Sequence, residues 1–190
     1  MQLVEAAKEL FHLRGYTAVG VNDICRQAGV QKGSLYHFFD TKRDLALAAV
    51  EAHWDSYRLE LLEPAFAEDV PPFDRIRRLF RMVRTYQESG RDENGQIRGC
   101  PFANLALEMS TLDPLLRRRL EEIFDGIATY FAATLREAYG RREAREAKIQ
   151  HKARELVAYH QGVVLLAKAR NQARLIDDLA EGAVQLATAA

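Results

Sequence analysis

Ala28-Gly29-Val30-Gln31-Lys32-Gly33-Ser34-Leu35-Tyr36-His37-Phe38-Phe39-Asp40-Thr41-Lys42-Arg43-Asp44-Leu45 is the stretch on which the reading of the fold turns. Leu35 and Phe39 lie four apart, which predicts a short helix from about Lys32 to Phe39 with these two facing inward. Its outward positions carry a cation, a hydroxyl, a phenol and an imidazole, groups that reach phosphates and base edges. Gly33 lets another backbone come close. Just upstream, Val21, Ile24, Cys25 and Ala28 share one face of a second short helix, and Gly29 permits a tight turn between the two. Gly20 stands at that helix's N-cap without a side-chain oxygen, and Asn22 and Asp23 add polarity to its first turn. Downstream, Thr41 with Asp44 three residues later forms a near capping box. The helix it opens carries Leu45, Ala48, Ala49 and Ala52 inward and runs to about Phe66. A short helix, a glycine turn and a second short helix is the layout of a helix-turn-helix.

The same periodicity continues on both sides. Leu3, Ala6, Ala7, Leu10 and Phe11 make one face of a helix over Gln2–Arg14, which Gly15 ends. Helices are expected over Phe73–Ser89, over Phe102–Ser110, from a cap at Asp113 with Pro114 in first position to Gly140, over Arg145–Arg170 and over Ala173–Thr188. The polar, glycine-flanked run from Gly90 to Gly99 reads as a loop.

Composition narrows the function classes. The chain has 190 residues, 27 Lys plus Arg and 27 Asp plus Glu, so its formal charge is zero. That excludes a generally polybasic coat but allows a local basic face, at Lys32, Lys42 and Arg43. Two Cys cannot build a disulfide framework, and the expected compartment is reducing. No apolar run approaches the ~20 residues of a membrane span. Glu5, Lys8 and Glu9 interrupt what could have been a signal peptide. The expectation is a soluble cytoplasmic protein, with no membrane partner. Against an enzyme, the sequence has no nucleophile elbow, Walker loop, dinucleotide glycine motif or metal-helix pattern. No metal and no cofactor are expected.

The quoted stretch closely resembles the TetR family of bacterial transcriptional repressors, as do Ala6-Ala7-Lys8-Glu9-Leu10-Phe11, Gly15-Tyr16-Thr17 and Asp23-Ile24 before it. The resemblance implies an all-α fold of about nine helices, with a helix-turn-helix domain of three helices at the N-terminus. That domain spans residues 1–46. A domain that binds a small-molecule effector and dimerises spans 47–190. The implied function is a homodimer that represses from a palindromic double-stranded DNA operator until the effector moves the fourth helix. Carried over by position, Tyr36 and His37 are phosphate contacts, Gln31 and Ser34 face base edges, and Lys32 and Gly33 belong to the recognition helix. Lys42 holds a phosphate at the start of the fourth helix, and Thr17 adds a backbone contact. Two departures bear on this. Val19 and Gly20 stand where many relatives carry a hydroxyl pair. Phe38 stands where many carry the histidine, so that role has either moved to His37 or been lost. If two subunits engage ~6–10 phosphates, affinity should fall ~10³–10⁵-fold between 50 and 200 mM salt.

Candidates to line an effector pocket are Trp54, Tyr57, Phe80, Val83, Tyr86, Phe102, Leu105, Met109, Phe124, Ile127, Phe131 and His160; the alternative is that they are ordinary core. Cys100, in Gly99-Cys100-Pro101-Phe102, lies at a helix start, which lowers a thiol's pKa. Together with Asn104-Leu105-Ala106 it resembles a subgroup of the family whose members include sensors of electrophiles or oxidants; the alternative is a small buried capping residue. Cys25 reads as inert filler. Leu156, Val157, Val163, Val164 and Ala167, with Leu175, Ile176, Leu179, Ala183, Val184 and Leu186, are expected to form the dimer interface as a four-helix bundle. Arg141, Arg142, Arg145, Lys148, Lys152 and Arg154, interleaved with Glu143, Glu146 and Glu155, read as a solvated face. A protein-only adaptor is the competing reading, and it predicts that substitution of Lys32 or Tyr36 is silent.

Overall fold

Apolar residues three and four apart fold into helices throughout the computed structural model, which describes residues 2–140 and 146–189. In chain order these are α1 (Gln2–Arg14), α2 (Val21–Ala28), α3 (Lys32–Phe38), α4 (Lys42–Tyr57), a π-helical turn (Arg58–Leu62), α5 (Glu63–Ala65), α6 (Pro72–Ser89), α7 (Pro101–Met109), α8 (Pro114–Tyr139), α9 (Glu146–Arg170), α10 (Arg174–Asp178) and α11 (Ala180–Thr188). With α4, the π turn and α5 taken as one run, and α10 and α11 as one interrupted helix, the described residues form nine helices. Two compact units result. One comprises the chain through Tyr57 together with Pro101–Glu121; the other comprises Arg58–Cys100 and the chain from Glu122 onward. This division differs from a single boundary at 46/47, because α7 packs against α1.

In the first unit α1 packs on α4, α2 and α7 through Leu3, Ala6, Ala7, Leu10 and Phe11, all buried. Gly20 adopts an extended backbone at the α2 N-cap, and Asp23 compensates for its missing side chain: the Gly20 N–H donates to Asp23 Oδ2 at 3.0 Å. Gly29 ends α2 in the left-handed conformation (φ 65°), so that its own N–H reaches the Arg26 carbonyl and that of Val30 reaches Cys25. The capping box is present: Thr41 N–H donates to Asp44 Oδ2 at 2.9 Å and Asp44 N–H to Thr41 Oγ1 at 3.2 Å. Asp113 Oδ1 accepts from the N–H groups of Leu115 and Leu116 and caps α8. α3 ends at Phe38, and Phe39 is extended and half-buried. On α4 the inner face is Leu45, Ala46, Ala49 and Val50, rotated from the expected Ala48 and Ala52.

The second unit is built around Ile76, Leu79, Phe80, Ile123, Ile127, Phe131, Leu135 and Leu156, each with essentially no exposed surface. Arg75 is buried beneath this core and held by Glu137 at 2.6 and 2.8 Å and by the Val70 carbonyl at 3.0 Å. The expected single helix over 173–188 is broken at Leu179, whose carbonyl accepts the Tyr159 hydroxyl at 2.9 Å. Tyr159 fits only because position 182 is glycine: a Cβ there would lie 2.1 Å from the Tyr159 oxygen.

Burial corrects the expected dimer interface. Leu156, Val157, Val163, Val164 and Ala167 on α9, and Ile176, Ala183 and Val184 beyond it, are buried within the chain itself and form its core. Their apolar spacing reported an inner face, and the face is covered by this chain's own helices. Leu175, Leu179 and Leu186 keep intermediate exposure, and the exposed leucines of α9 are Leu165 and Leu166. The expected solvated row is also revised. Arg141, Arg142, Glu143 and Arg145 lie outside the described residues. Lys148 and Arg154 are exposed, but Lys152 is buried and donates to the Leu186 carbonyl at 2.9 Å. Glu146 pairs with Arg136, whose guanidinium holds its carboxyl at a pKa of about 2.

Candidate nucleic-acid interface

α3 presents one buried side chain and an outward face. Leu35 has no exposed surface and fixes the helix to the unit, whereas Gln31, Lys32, Gly33, Ser34, Tyr36, His37 and Phe38 are all exposed. Among the described residues a Cβ built at Gly33 would meet nothing within 4 Å, so no neighbour there demands glycine. The Lys32 ammonium lies 5.9 Å from the Tyr36 ring centroid, and the His37 and Phe38 rings meet edge to face at 4.9 Å. Phe38, 69% exposed, is an apolar surface among hydrogen-bonding groups. A cation, a hydroxyl, a phenol, an imidazole and an amide on one solvent-facing turn can bind phosphate oxygens and base edges. Arg26, in the last turn of α2, is exposed too and pairs loosely with Asp23 at 3.5 Å; nothing in its spacing marks it out.

Thr17 and Lys42 make their hydrogen bonds within the chain. Glu108, near the end of α7, accepts from the N–H of Tyr16 at 2.8 Å, the N–H of Thr17 at 2.6 Å and the Thr17 hydroxyl. Lys42 donates to the Tyr16 carbonyl at 2.6 Å and sits 4.1 Å from the Tyr16 ring centroid. Burial works to raise the Glu108 pKa, but the bonds from Thr17 and Tyr16 and the Lys42 charge outweigh it, and the carboxyl is held below its ordinary value. Burial lowers the Lys42 pKa, opposed by the Glu108 charge. Arg43 faces Asp113 at 3.8 Å. Glu108 was invisible to sequence reasoning, since its partners lie more than 90 positions away.

The twelve pocket candidates divide between the units. In the first, Trp54 and Tyr57 meet Phe102 edge-on at 6.2 and 5.6 Å, and Leu105 and Met109 are buried on the same helix as Phe102. A cavity of about 20 Å³ beside Phe102 and Leu105 has room for about one water. In the second, Phe80, Val83, Ile127 and Phe131 are core, Phe124 is half-buried, and Tyr86 lines an open groove of about 340 Å³ with Arg81 and Thr85. His160 is 1% exposed, stacks edge-on to Phe80 at 5.6 Å and leaves Nε2 without a hydrogen-bond partner. Burial pushes its pKa down to about 4. Cys100 is buried at the start of α7; the preceding Gly99 is held by Gln87 through both its N–H and its carbonyl. Burial lowers the Lys168 pKa, opposed by its electrostatic coupling to Cys100. Cys25 is buried in α2, as expected. Among the described residues no group of His, Cys, Asp and Glu could hold a metal, and no helix is long and apolar enough to cross a membrane.

Residues 3–49 match the family "Bacterial regulatory proteins, tetR family", and residues 72–183 match "Tetracyclin repressor-like, C-terminal domain". The transcriptional regulator AcuR of Cereibacter sphaeroides is 37% identical over a match covering 72% of this chain and 60% of that one. An uncharacterized HTH-type transcriptional regulator of Lactococcus lactis is 26% identical over 93% of this chain and 86% of that one. The crystal structure of a regulatory protein TetR from Rhodobacter sphaeroides superposes with a TM-score of 0.82 at 28% identity, covering 97% of this chain and 96% of that one.

Proposed function

The chain belongs to the tetR family of bacterial regulatory proteins, and from that premise we propose that it is a homodimeric repressor, released from a palindromic operator by a small molecule. It is a sequence-specific DNA-binding regulator rather than an enzyme. The observation that carries the detailed reading is the α3 surface, where seven consecutive-turn residues are exposed around a single buried Leu35. Gln31 and Ser34 read base edges; Lys32, Tyr36 and His37 hold phosphates; Gly33 admits the DNA backbone. Residues 1–46 act as the reading domain and 47–190 as the effector and dimerisation domain. Leu165 and Leu166, 52% and 46% exposed on α9, are the surface that dimerisation would cover. The test is selection of duplexes from a randomised pool at moderate salt. An enriched palindrome supports the reading; folded dimeric protein that enriches nothing overturns it.

A second reading is favoured by one feature, the buried Cys100 at the start of α7, to which Lys168 is electrostatically coupled. A cation beside a thiol favours thiolate and hence reaction with electrophiles or oxidants. On this reading Cys100→Ser abolishes release from the operator by peroxide or quinone, and a response that survives the substitution removes Cys100 as the switch.

A further inference from the structure

Thr17 and Lys42, both assigned above to the phosphate backbone, make their hydrogen bonds inside the chain. The turn Gly15-Tyr16-Thr17 points two successive N–H groups and a hydroxyl at one carboxylate, that of Glu108. Successive N–H groups beside a left-handed residue form a concavity that binds anions. Gly15 supplies the left-handed residue (φ 85°), and a Cβ there would stand 3.0 Å from Glu108 Oε2. The left-handed turn favours glycine, and a side chain there would also crowd the anion. Lys42 anchors the turn through the Tyr16 carbonyl and brings a positive charge beside it.

We propose that this turn is an anion site of the reading domain, filled by the Glu108 carboxylate in the absence of DNA and by an operator phosphate in its presence. Glu108 is then a built-in competitor of the operator. The inference rests on the DNA-binding reading above.

The chemistry of the two occupants is the same: a pair of charged oxygens accepting N–H and O–H bonds. Thr17 is exposed, so a phosphate can approach it from solvent. Glu108 is poorly placed for its own helix, since a carboxylate in the last turn faces the negative end of the α7 dipole. The anion site accounts for its presence there. Bonds of 2.6 and 2.8 Å are broken by a displacement of roughly 1 Å, less than the ~1.5 Å rise of one helical residue. A small shift of α7 thus empties the site, and α7 governs whether the turn is offered to DNA.

The experiment compares Glu108→Gln with Glu51→Gln. Both remove one negative charge from the same unit, but Glu51 faces Arg119 and not the turn. The probe is the palindromic duplex recovered from the randomised pool, titrated across salt concentrations. Glu108→Gln is expected to bind about tenfold tighter than the unaltered protein, the size of one lost charge-assisted competitor. Its log–log salt slope should stay close to that of the unaltered protein, since the phosphate enters the turn in both once the duplex is bound. Glu51→Gln should stay within about twofold of the unaltered protein, as an exposed charge paired with Arg119 and making no bond to the turn. Equal effects of the two substitutions, or weaker binding by Glu108→Gln, overturn the proposal; weaker binding would mean that Glu108 holds the turn for DNA instead of competing with it. An unaltered protein that binds no duplex overturns the DNA-binding reading itself. Because a substitution can disturb folding, the unaltered protein gives a second readout. Its Tyr16 and Thr17 amide resonances should shift when the duplex is added, and amides that stay in place refute the exchange.

Discussion

Substituting His160 with leucine should remove a defined part of the protein's sensitivity to acid. The imidazole is fully enclosed, its Nε2 has no partner, and burial lowers its pKa from 6.5 to about 4. Between those values the unfolded chain binds a proton that the folded chain refuses. Stability from this group is therefore intact above pH 6.5 and is lost as the pH falls toward 4. Integrating over the interval from pH 7 to 5 gives a loss of about 2 kcal/mol for the unaltered protein. Leucine has a similar volume and no proton to bind. The variant should also be no less stable at neutral pH, because an unsatisfied buried nitrogen is removed with the ring. His53, whose pKa is lowered to about 3 chiefly by burial, titrates in both proteins and cancels in the comparison. The assay is urea unfolding followed by circular dichroism at pH 7, 6 and 5, at one protein concentration, since dimerisation makes stability depend on concentration. Stability curves for the two proteins that remain parallel from pH 7 to 5 would refute the reasoning.

Three other outcomes are expected. Asp44→Ala removes the reciprocal capping at Thr41 and should cost about 1 kcal/mol, read as a fall in thermal midpoint, with α4 content otherwise kept. Lys32→Ala should weaken binding to all duplex sequences alike and reduce the salt slope by about 0.9 per protomer, whereas Tyr36→Ala should lose affinity while the protein stays dimeric by light scattering. Leu166→Glu should dissociate the dimer without unfolding the monomer, because its side chain is exposed on α9; Leu156→Ala, at a site with no exposed surface, should instead lose about 2–5 kcal/mol of stability.

What the chain says in its own sequence is mostly local. The α1 face, the glycine turn after α2, the Thr41–Asp44 box and the Asp113–Pro114 start of α8 each lie within a few residues, and each is where its spacing puts it. The outward character of α3 was legible for the same reason, since one buried leucine in seven residues leaves little choice of face. Periodicity fails where the answer depends on what covers a face. Leu156, Val163 and Ala167 mark an apolar stripe, but the stripe has no way to record whether its cover comes from the same chain or another. At the break the Leu179 carbonyl takes its bond from a hydroxyl twenty residues away. Glu108 reads as an ordinary polar residue of a short helix until the fold brings the Gly15–Thr17 turn against it. The pocket candidates show the same limit: apolar residues at helical spacing are buried wherever neighbours fill the space around them, as they do at Phe80, Ile127 and Phe131.

The contact between Tyr159 and Gly182 also constrains how this sequence can change over generations. Any side chain at 182 would set its first carbon 2.1 Å from the Tyr159 oxygen, and removing that oxygen alone leaves a ring carbon at 3.0 Å. The ring must shrink or turn aside before position 182 can vary. Once a methyl group has taken the vacated space, tyrosine cannot return until 182 is glycine again. Two positions that look independent on paper thus form an ordered pair: position 159 must change before 182 can, and on the way back 182 must become glycine again first.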